Sequence, residues 1–436
     1  MQRRKQDEMT SIARIPDTPK KRVVIVGSGF AGLRLARSLS SRNFQVVVID
    51  KNNYHQFQPL LYQVATSGLE PAAIAFPLRK IFQNKKHIHI RVAKFLAVDK
   101  DMNCIRTSIG TIQYDYFVIA IGVRPNYFGN RNIEKYALSM KAISDAIYIR
   151  NIILENFEKA LSADTEEEMA LMNIVIAGGG PTGVELAGAI AEMRKFILPK
   201  DYPELDFNKM EIHLMEGTDR LLGGMSLKAS ERSKLFLENM GIKVRLEAIV
   251  KDYDGKVVLL DDGTSIRSET LLWAAGIKAC EVKGLPSETY GKGGRIVVDE
   301  FNKVHGTTNI FAIGDIAIMI SEKYPSGHPQ VAQPAIQQGL QLSKNLKRLQ
   351  LSRSLMPFRY AEKGSLATVG RNRAVADLPF GSFSGFWAWV LWLFVHLMSL
   401  VGKKNRLFVI ISWFLSYFTY DRSFRLLIKP KTRKSP

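Results

Sequence analysis

Short, unbroken apolar runs that end in glycine or an acid, each followed by residues at helical spacing, set the rhythm of this chain. Val23-Val24-Ile25-Val26 is apolar throughout, as a strand covered on both faces must be, and runs into Gly27-Ser28-Gly29-Phe30-Ala31-Gly32. Residues 33–39 then carry a helical apolar face, and Val46-Val47-Val48-Ile49 predicts a second buried strand, closed by Asp50 and Lys51. In such a strand, turn and helix, Gly27 takes the tight turn, Gly29 admits a pyrophosphate to the backbone, and Gly32 lets the helix approach the strand. Asp50 then accepts from a ribose hydroxyl. The helix start offers free N–H groups and positive dipole to the phosphates.

The pattern returns at Asn173-Ile174-Val175-Ile176-Ala177, followed by Gly178-Gly179-Gly180-Pro181-Thr182-Gly183 and, after Ile212-His213-Leu214-Met215, by Glu216. Two complete motifs imply two dinucleotides. An acid at the second strand end favours NADH over NADPH, because a 2′-phosphate would meet a carboxylate; Arg220 close behind softens that preference. Further buried strands are expected at Tyr116-Phe117-Val118-Ile119-Ala120-Ile121-Gly122, at Leu271-Leu272-Trp273 with Ala274-Ala275-Gly276 after it, and at Asn309-Ile310-Phe311-Ala312-Ile313. The last ends in Gly314-Asp315, an acid placed for sugar or ribityl hydroxyls. Gln333-Pro334-Ala335-Ile336-Gln337 begins a helix, with Pro334 suited to its first turn. Between these elements, residues 143–161 read as a helix and 164–168 as an exposed acidic connection. Residues 52–63 read as an aromatic loop, either ordinary packing or a cover for a cofactor.

Two more runs, residues 386–401 with Trp387, Trp389 and Trp392, and residues 407–420, flank Lys403-Lys404-Asn405-Arg406. Neither reaches the roughly 20 residues of a spanning helix. In the second, Ser412, Ser416, Thr419 and Ser423 share a helical face, leaving Trp413, Phe414 and Phe418 elsewhere. This predicts an amphipathic helix lying in a membrane interface; a short membrane-crossing hairpin and a dimer interface are the alternatives. His396, inside the first run, either packs there or lines an entrance for a lipid-soluble substrate.

Composition sharpens this picture in two ways. The net charge of +20 over 436 residues calls for an anionic partner, and with no nucleic-acid module in the chain a lipid surface leads. Only two cysteines, Cys104 and Cys280, are present, far apart, so the dithiol chemistry of disulfide reductases is excluded. No metal-ligand cluster is apparent. The domains expected are a basic tail over 1–20, a discontinuous first nucleotide domain over 21–165 and 296–350, a second over 166–295, and a membrane-anchoring region over 351–436.

The two glycine motifs, the Asn53-Tyr54-His55-Gln56-Phe57-Gln58-Pro59-Leu60-Leu61-Tyr62-Gln63 loop, Gly314-Asp315, and above all Ala332-Gln333-Pro334-Ala335-Ile336-Gln337-Gln338-Gly339 resemble the type II NADH dehydrogenases, single-chain NADH:quinone oxidoreductases that pump no protons. The resemblance runs from Arg22 to the C-terminus and includes Lys363-Gly364-Ser365-Leu366-Ala367-Thr368-Val369-Gly370-Arg371. It implies an α/β fold of two Rossmann-like domains in the glutathione-reductase-like arrangement, plus C-terminal membrane-associated helices. FAD would be tightly held by the first domain, through Gly27, Gly29, Phe30, Ala31, Gly32, Asp50, Lys51, Gly122, Gly314 and Asp315. NADH would bind the second, through Gly178, Gly180, Pro181, Thr182, Gly183, Glu216, Ala275 and Gly276. Gln333 and Gln337 match the family's quinone-site glutamines, and Glu185 matches a carboxylate that assists proton delivery. One departure stands out: Ile121 replaces the threonine usual in the Ala-Thr-Gly strand end. The resemblance further implies a homodimer, peripheral on the cytoplasmic side of the cell membrane. Three rivals share part of the pattern. A soluble ferredoxin or rubredoxin reductase has no use for the Trp-rich tail, a sulfide:quinone reductase needs reactive cysteines, and an NADH-sensing flavoprotein would bind both nucleotides without turnover.

Overall fold

The structure, a computed structural model, describes residues 13–420 and 424–427; residues 1–12 of the expected basic tail and Ser423 of the expected polar face lie outside them. Two compact units are formed, the first from Met1–His55, Phe76–Arg124 and Ile277–Glu362, the second from Gln56–Ala75, Pro125–Gly276 and Lys363–Pro436. In chain order the elements that position the site are β1 (Lys21–Val26), α1 (Phe30–Ser38), β2 (Phe44–Asp50), β3 (Ile88–Val92), β4 (Tyr116–Ile119), β5 (Ile174–Ala177), α2 (Pro181–Phe196), β6 (Ile212–Met215), β7 (Thr270–Trp273) and β8 (Ile310–Ala312). There follow α3 (Ala332–Gln350), β9 (Ser365–Gly370), β10 (Arg373–Leu378), β11 (Gly381–Ser384), α4 (Phe386–Ser399) and α5 (Lys403–Thr419).

In the first unit β8, β4, β1, β2 and β3 lie side by side in that order, all parallel. Val23, Val24, Ile25, Val46 and Val47 are fully buried, which is why these strands read as continuous apolar runs and not as alternation. The second unit repeats the plan, with Leu138–Ser139, β7, β5, β6 and Lys243–Arg245 as parallel neighbours. The expected pair of α/β sheets is therefore present. Residues 13–20 are fastened to the first unit, where Gln45 donates to the Pro16 carbonyl at 2.6 Å and Arg91 donates to the Ala13 carbonyl.

Two expectations are corrected. The acidic stretch 164–168 is no bare connection but the start of a helix, Thr165–Met172. Asp164 caps it by accepting from the Glu166 and Glu167 N–H groups, and three glutamates fill the first turn, where the dipole favours them. The aromatic loop after Asn52 contains a 3₁₀ turn, Gln58–Leu60, and a short helix, Leu61–Ala65, with Phe57, Leu60, Leu61 and Tyr62 buried. Its apolar residues cluster at i, i+3 and i+4 and outweigh the glutamines between them.

The C-terminal part of the second unit is an antiparallel sheet, β9–β10–β11, which packs on α2 and carries α4, while α5 packs against α4 and the short helix Pro71–Ile74. Among the described residues no helix is long and apolar enough to cross a membrane. The α2–β9 contact is made backbone to backbone at Gly188, where a Cβ would lie 1.9 Å from the Val369 carbonyl oxygen. Gly188→Ala should therefore cost about 3 kcal/mol, as overpacking against an unyielding backbone does. A lowered urea midpoint at unchanged slope would verify this, and an unchanged midpoint would show the contact to be soft.

Candidate functional site

The first glycine loop makes a tight turn whose glycines differ in what surrounds them. Gly27 has φ +102° and its Cβ would strike the Ala120 carbonyl, while a Cβ on Gly32 would lie 1.9 Å from the Gly27 oxygen. Only glycine fits either position. Gly29, in contrast, faces open space, so the backbone at the start of α1 is bare where a phosphate would approach. Asp50 holds this loop: its Oδ2 accepts from the Ser28 N–H at 2.7 Å and hydroxyl at 2.6 Å, and its Oδ1 accepts from the Asn52 N–H. Buried His55 donates from Nδ1 to the Ser28 carbonyl at 2.8 Å and meets Phe30 edge to face. Burial lowers its pKa and keeps the ring neutral. Ser28 and His55 escaped the sequence reading; the period of the motif points to glycines, and nothing in it marks the residue between them.

The second loop repeats this construction. Gly178 has φ +107°, Gly183 closes on the Gly178 oxygen, and Gly180 is open. Glu216 Oε2 accepts from the Gly179 N–H at 2.6 Å, and its Oε1 accepts from the Thr218 N–H and hydroxyl. Pro181 and Thr182 are exposed at the start of α2, as Gly276 is after β7, with Ala275 half-buried before it. Arg220 donates to the Gly223 carbonyl.

In the first unit the remaining candidates converge on α1. Gly314, at φ +76°, sits between Ala31 and Ala335 of α3, and a Cβ on Gly339 would lie 2.5 Å from the Ala31 oxygen. Gln338 accepts from the Gly314 N–H at 2.7 Å, so α3 fixes the turn that presents Asp315; the sequence reading did not single out Gln338. Gln333 and Gln337 are half-buried one turn apart on α3. Gln337 forms a two-way pair with Ala361, donating at 2.9 Å and accepting at 3.0 Å. Lys51 is exposed beyond Asp50, Gly122 takes φ +69° after β4, and Ile121 packs on the core in place of the absent hydroxyl.

Glu185, in the second unit on α2, lines a cavity of about 570 Å³ shared with α4 and α5. Burial pushes its carboxyl up to about 8, against the Thr368 N–H and the Trp392 indole, which both favour the anion. The Trp392 N–H faces the carboxyl from outside hydrogen-bond geometry, so it stabilises the charge only weakly. His396 is absent from the cavity lining: it stacks on Trp392 at 4.0 Å, meets Phe57 and is pushed down to about 4 by burial, a packed neutral ring. Cys104 and Cys280 are free thiols.

Residues 21–339 match the pyridine nucleotide-disulphide oxidoreductase family, and residues 363–420 match the NDH2 C-terminal domain. The chain is 34% identical over 419 residues to the type II NADH:quinone oxidoreductase Ndh of Mycobacterium tuberculosis, covering 92% of this chain and 89% of that one. Among solved structures, NDH2 from Plasmodium falciparum in complex with NADH superposes with a TM-score of 0.85 at 23% identity, over 94% of this chain and 100% of that one. The sulfide:quinone oxidoreductase of Aquifex aeolicus shares the fold, with a TM-score of 0.71 at 18% identity over 94% of this chain and 96% of that one. Because the sequence match extends past both glycine loops and through the helical C-terminus, the chain belongs to the type II NADH:quinone oxidoreductases.

Proposed function

We infer that this chain oxidises NADH and passes the electron pair to a membrane quinone without pumping protons. The observation that carries the reading is the duplicated loop, twice open at its middle glycine and twice pinned by an acid at the next strand end. Of the two dinucleotides this accommodates, FAD is assigned to the first unit and NADH to the second. FAD, when bound, supplies the hydride-accepting and electron-donating chemistry that no side chain here has. Gly27, Gly29 and Gly32 cradle its pyrophosphate, and Asp50 and Asp315 take its hydroxyls. Gly178, Gly180 and Gly183 do the same for NADH, with Glu216 on the ribose.

Gln333 and Gln337 are assigned to the quinone carbonyls, toward which an amide N–H lowers the cost of developing charge. Gln337 retains a second amide hydrogen beyond its pair with Ala361. Amides release no proton at ordinary pH, so Glu185, protonated near neutrality, is assigned as the donor. The exposed side of α4 and α5 supports a peripheral seat on a membrane: Trp387 is 73%, Phe414 62% and Phe418 66% exposed, beside exposed Lys403 and Lys404; its cytoplasmic side follows from the family resemblance alone. Trp413 instead turns inward to donate to Gln63. A homodimer follows from the family resemblance alone.

Two outcomes are expected. In anaerobic mixing, NADH should bleach a bound flavin and a short-chain quinone should restore it; Glu216→Ala should raise the KM for NADH about tenfold or more, the loss expected for a charged hydrogen bond, and leave the quinone KM in place. Equal effects on both would remove Glu216 from the nucleotide site. Glu185 holds its proton in the folded state between its ordinary 4.5 and about 8, so folding binds a proton there and stability falls as pH rises across that window. Against Glu185→Gln, wild type should lose roughly 2–4 kcal/mol between pH 5 and 9. Parallel melting profiles of the two would contradict the buried acid.

A further inference from the structure

The first glycine loop sits at the carboxyl ends of its strands. At the amino ends of the same strands the first unit forms a second recess, of about 740 Å³. Its walls are the chain that leads into β1, the turn between α1 and β2, and residues 84–89 at the start of β3. Five residues of β2, about 16 Å at a strand's rise, separate Gln45 in this recess from Asp50 at the glycine loop, so the two places are distinct.

The charges on the recess are of one sign. Lys20, Lys85 and Lys86 line it with His87 and His89, and among the described lining residues Asp17 is the one carboxylate. Asp17 projects into solvent and pairs with Arg22. Lys85 is half-buried, and burial together with Arg37 lowers its pKa. His87 and His89 are half-buried too and are lowered first by burial, then by cations: Lys85 and Lys20 act on His87, Arg91 and Arg22 on His89.

The end of α1 accounts for part of this clustering. Lys85 donates to the Arg37 carbonyl at 2.8 Å, Lys20 to the Ser41 carbonyl at 2.7 Å, and His87 Nε2 to the Leu39 carbonyl at 3.2 Å, where a helix end favours cations. Each lysine thereby uses one of its three N–H groups. Lys86 is exposed and has no partner among the described residues. Gln45 is committed elsewhere: it accepts from Arg22, donates to the Pro16 carbonyl and faces His89 Nε2 at 3.4 Å, which leaves the hydrogen of neutral His89 on Nδ1. Spare donors and mutually repelling cations thus share one recess, and an anion would satisfy both.

We propose that this recess binds a phosphate-bearing dianion, held by Lys20, Lys85 and Lys86, with His87 as a contact that gains a proton when the anion enters. Phosphate oxygens accept charge-assisted hydrogen bonds from several donors at once. His87 has already given its Nε2 hydrogen to Leu39, so a proton taken up from solvent lands on Nδ1 and makes a further donor. The volume lies within the range of small-molecule sites and admits a phosphate with an organic group attached, as in a lipid headgroup or a free phosphate ester.

The test needs neither NADH nor quinone and is independent of the function proposed above. In the full-length protein with ¹³C-labelled histidines, inorganic phosphate in the millimolar range should raise the midpoint of the His87 titration by about one pH unit and leave His213 and His396 in place. Lys86→Gln, an exposed substitution, should weaken phosphate binding. Lys85→Gln combined with it should weaken binding about tenfold or more, as the loss of charged hydrogen bonds does. Phosphatidylcholine vesicles with and without phosphatidic acid separate the sources. If the double variant loses the extra affinity that phosphatidic acid confers, the natural ligand is a lipid headgroup; if it keeps that affinity while losing phosphate, the ligand is a free phosphate compound. A His87 midpoint that responds to phosphate no more than to sodium chloride of equal ionic strength overturns the site, as does an equal response in the double variant.

Discussion

Everything in this molecule depends on helices brought against backbone with no side chain between them. Gly32 presses on the Gly27 oxygen, Gly183 on the Gly178 oxygen, Gly339 on the Ala31 oxygen and Gly188 on the Val369 oxygen. The first two contacts bring the starts of α1 and α2 so close to the strand ends that the next N–H groups point into open space. The third brings α3 onto α1, and the fourth seats the C-terminal sheet on α2. A methyl group at any of the four would push a helix away from the groups it exists to present.

On this frame the two acids at the strand ends have a structural part of their own. Asp50 and Glu216 each hold the middle residue of a glycine loop through its N–H, so the loop is shaped before any ligand arrives. A carboxylate accepts about four hydrogen bonds, and neither acid has spent all of its capacity. Preshaping of this kind lowers the ordering cost of binding.

The sheets, both loops and the strand-end acids were legible because their signals are local: an apolar run, a glycine period, one acid. What was hidden depends on neighbours distant in sequence. Ser28 and His55 acquire meaning only through Asp50, Gln338 only through Gly314, and the surroundings of Glu185 only once residues 368 and 392 are folded around it. The helix after Asp164 was missed for a different reason. Its acids read as a solvated charge run, whereas a capping aspartate followed by three glutamates is also what a helix start prefers. In α5 the expected polar face divides: Ser412 and Ser416 are half-buried, whereas Thr419 is exposed together with the aromatic residues Phe414 and Phe418.

Helix α5 is fastened at both ends. Asn405 donates to the Ala72 and Ala73 carbonyls near its start, and Arg371 gathers the carbonyls of its last turn. Arg406 in turn ties it back to the end of α4 by donating to Leu400 and Met398. The apolar side that remains is therefore a rigid raft and not a segment that must fold as it docks. An apolar phase or partner set against it would gain the burial without first freezing a loose chain, so little of the attraction would be lost to entropy.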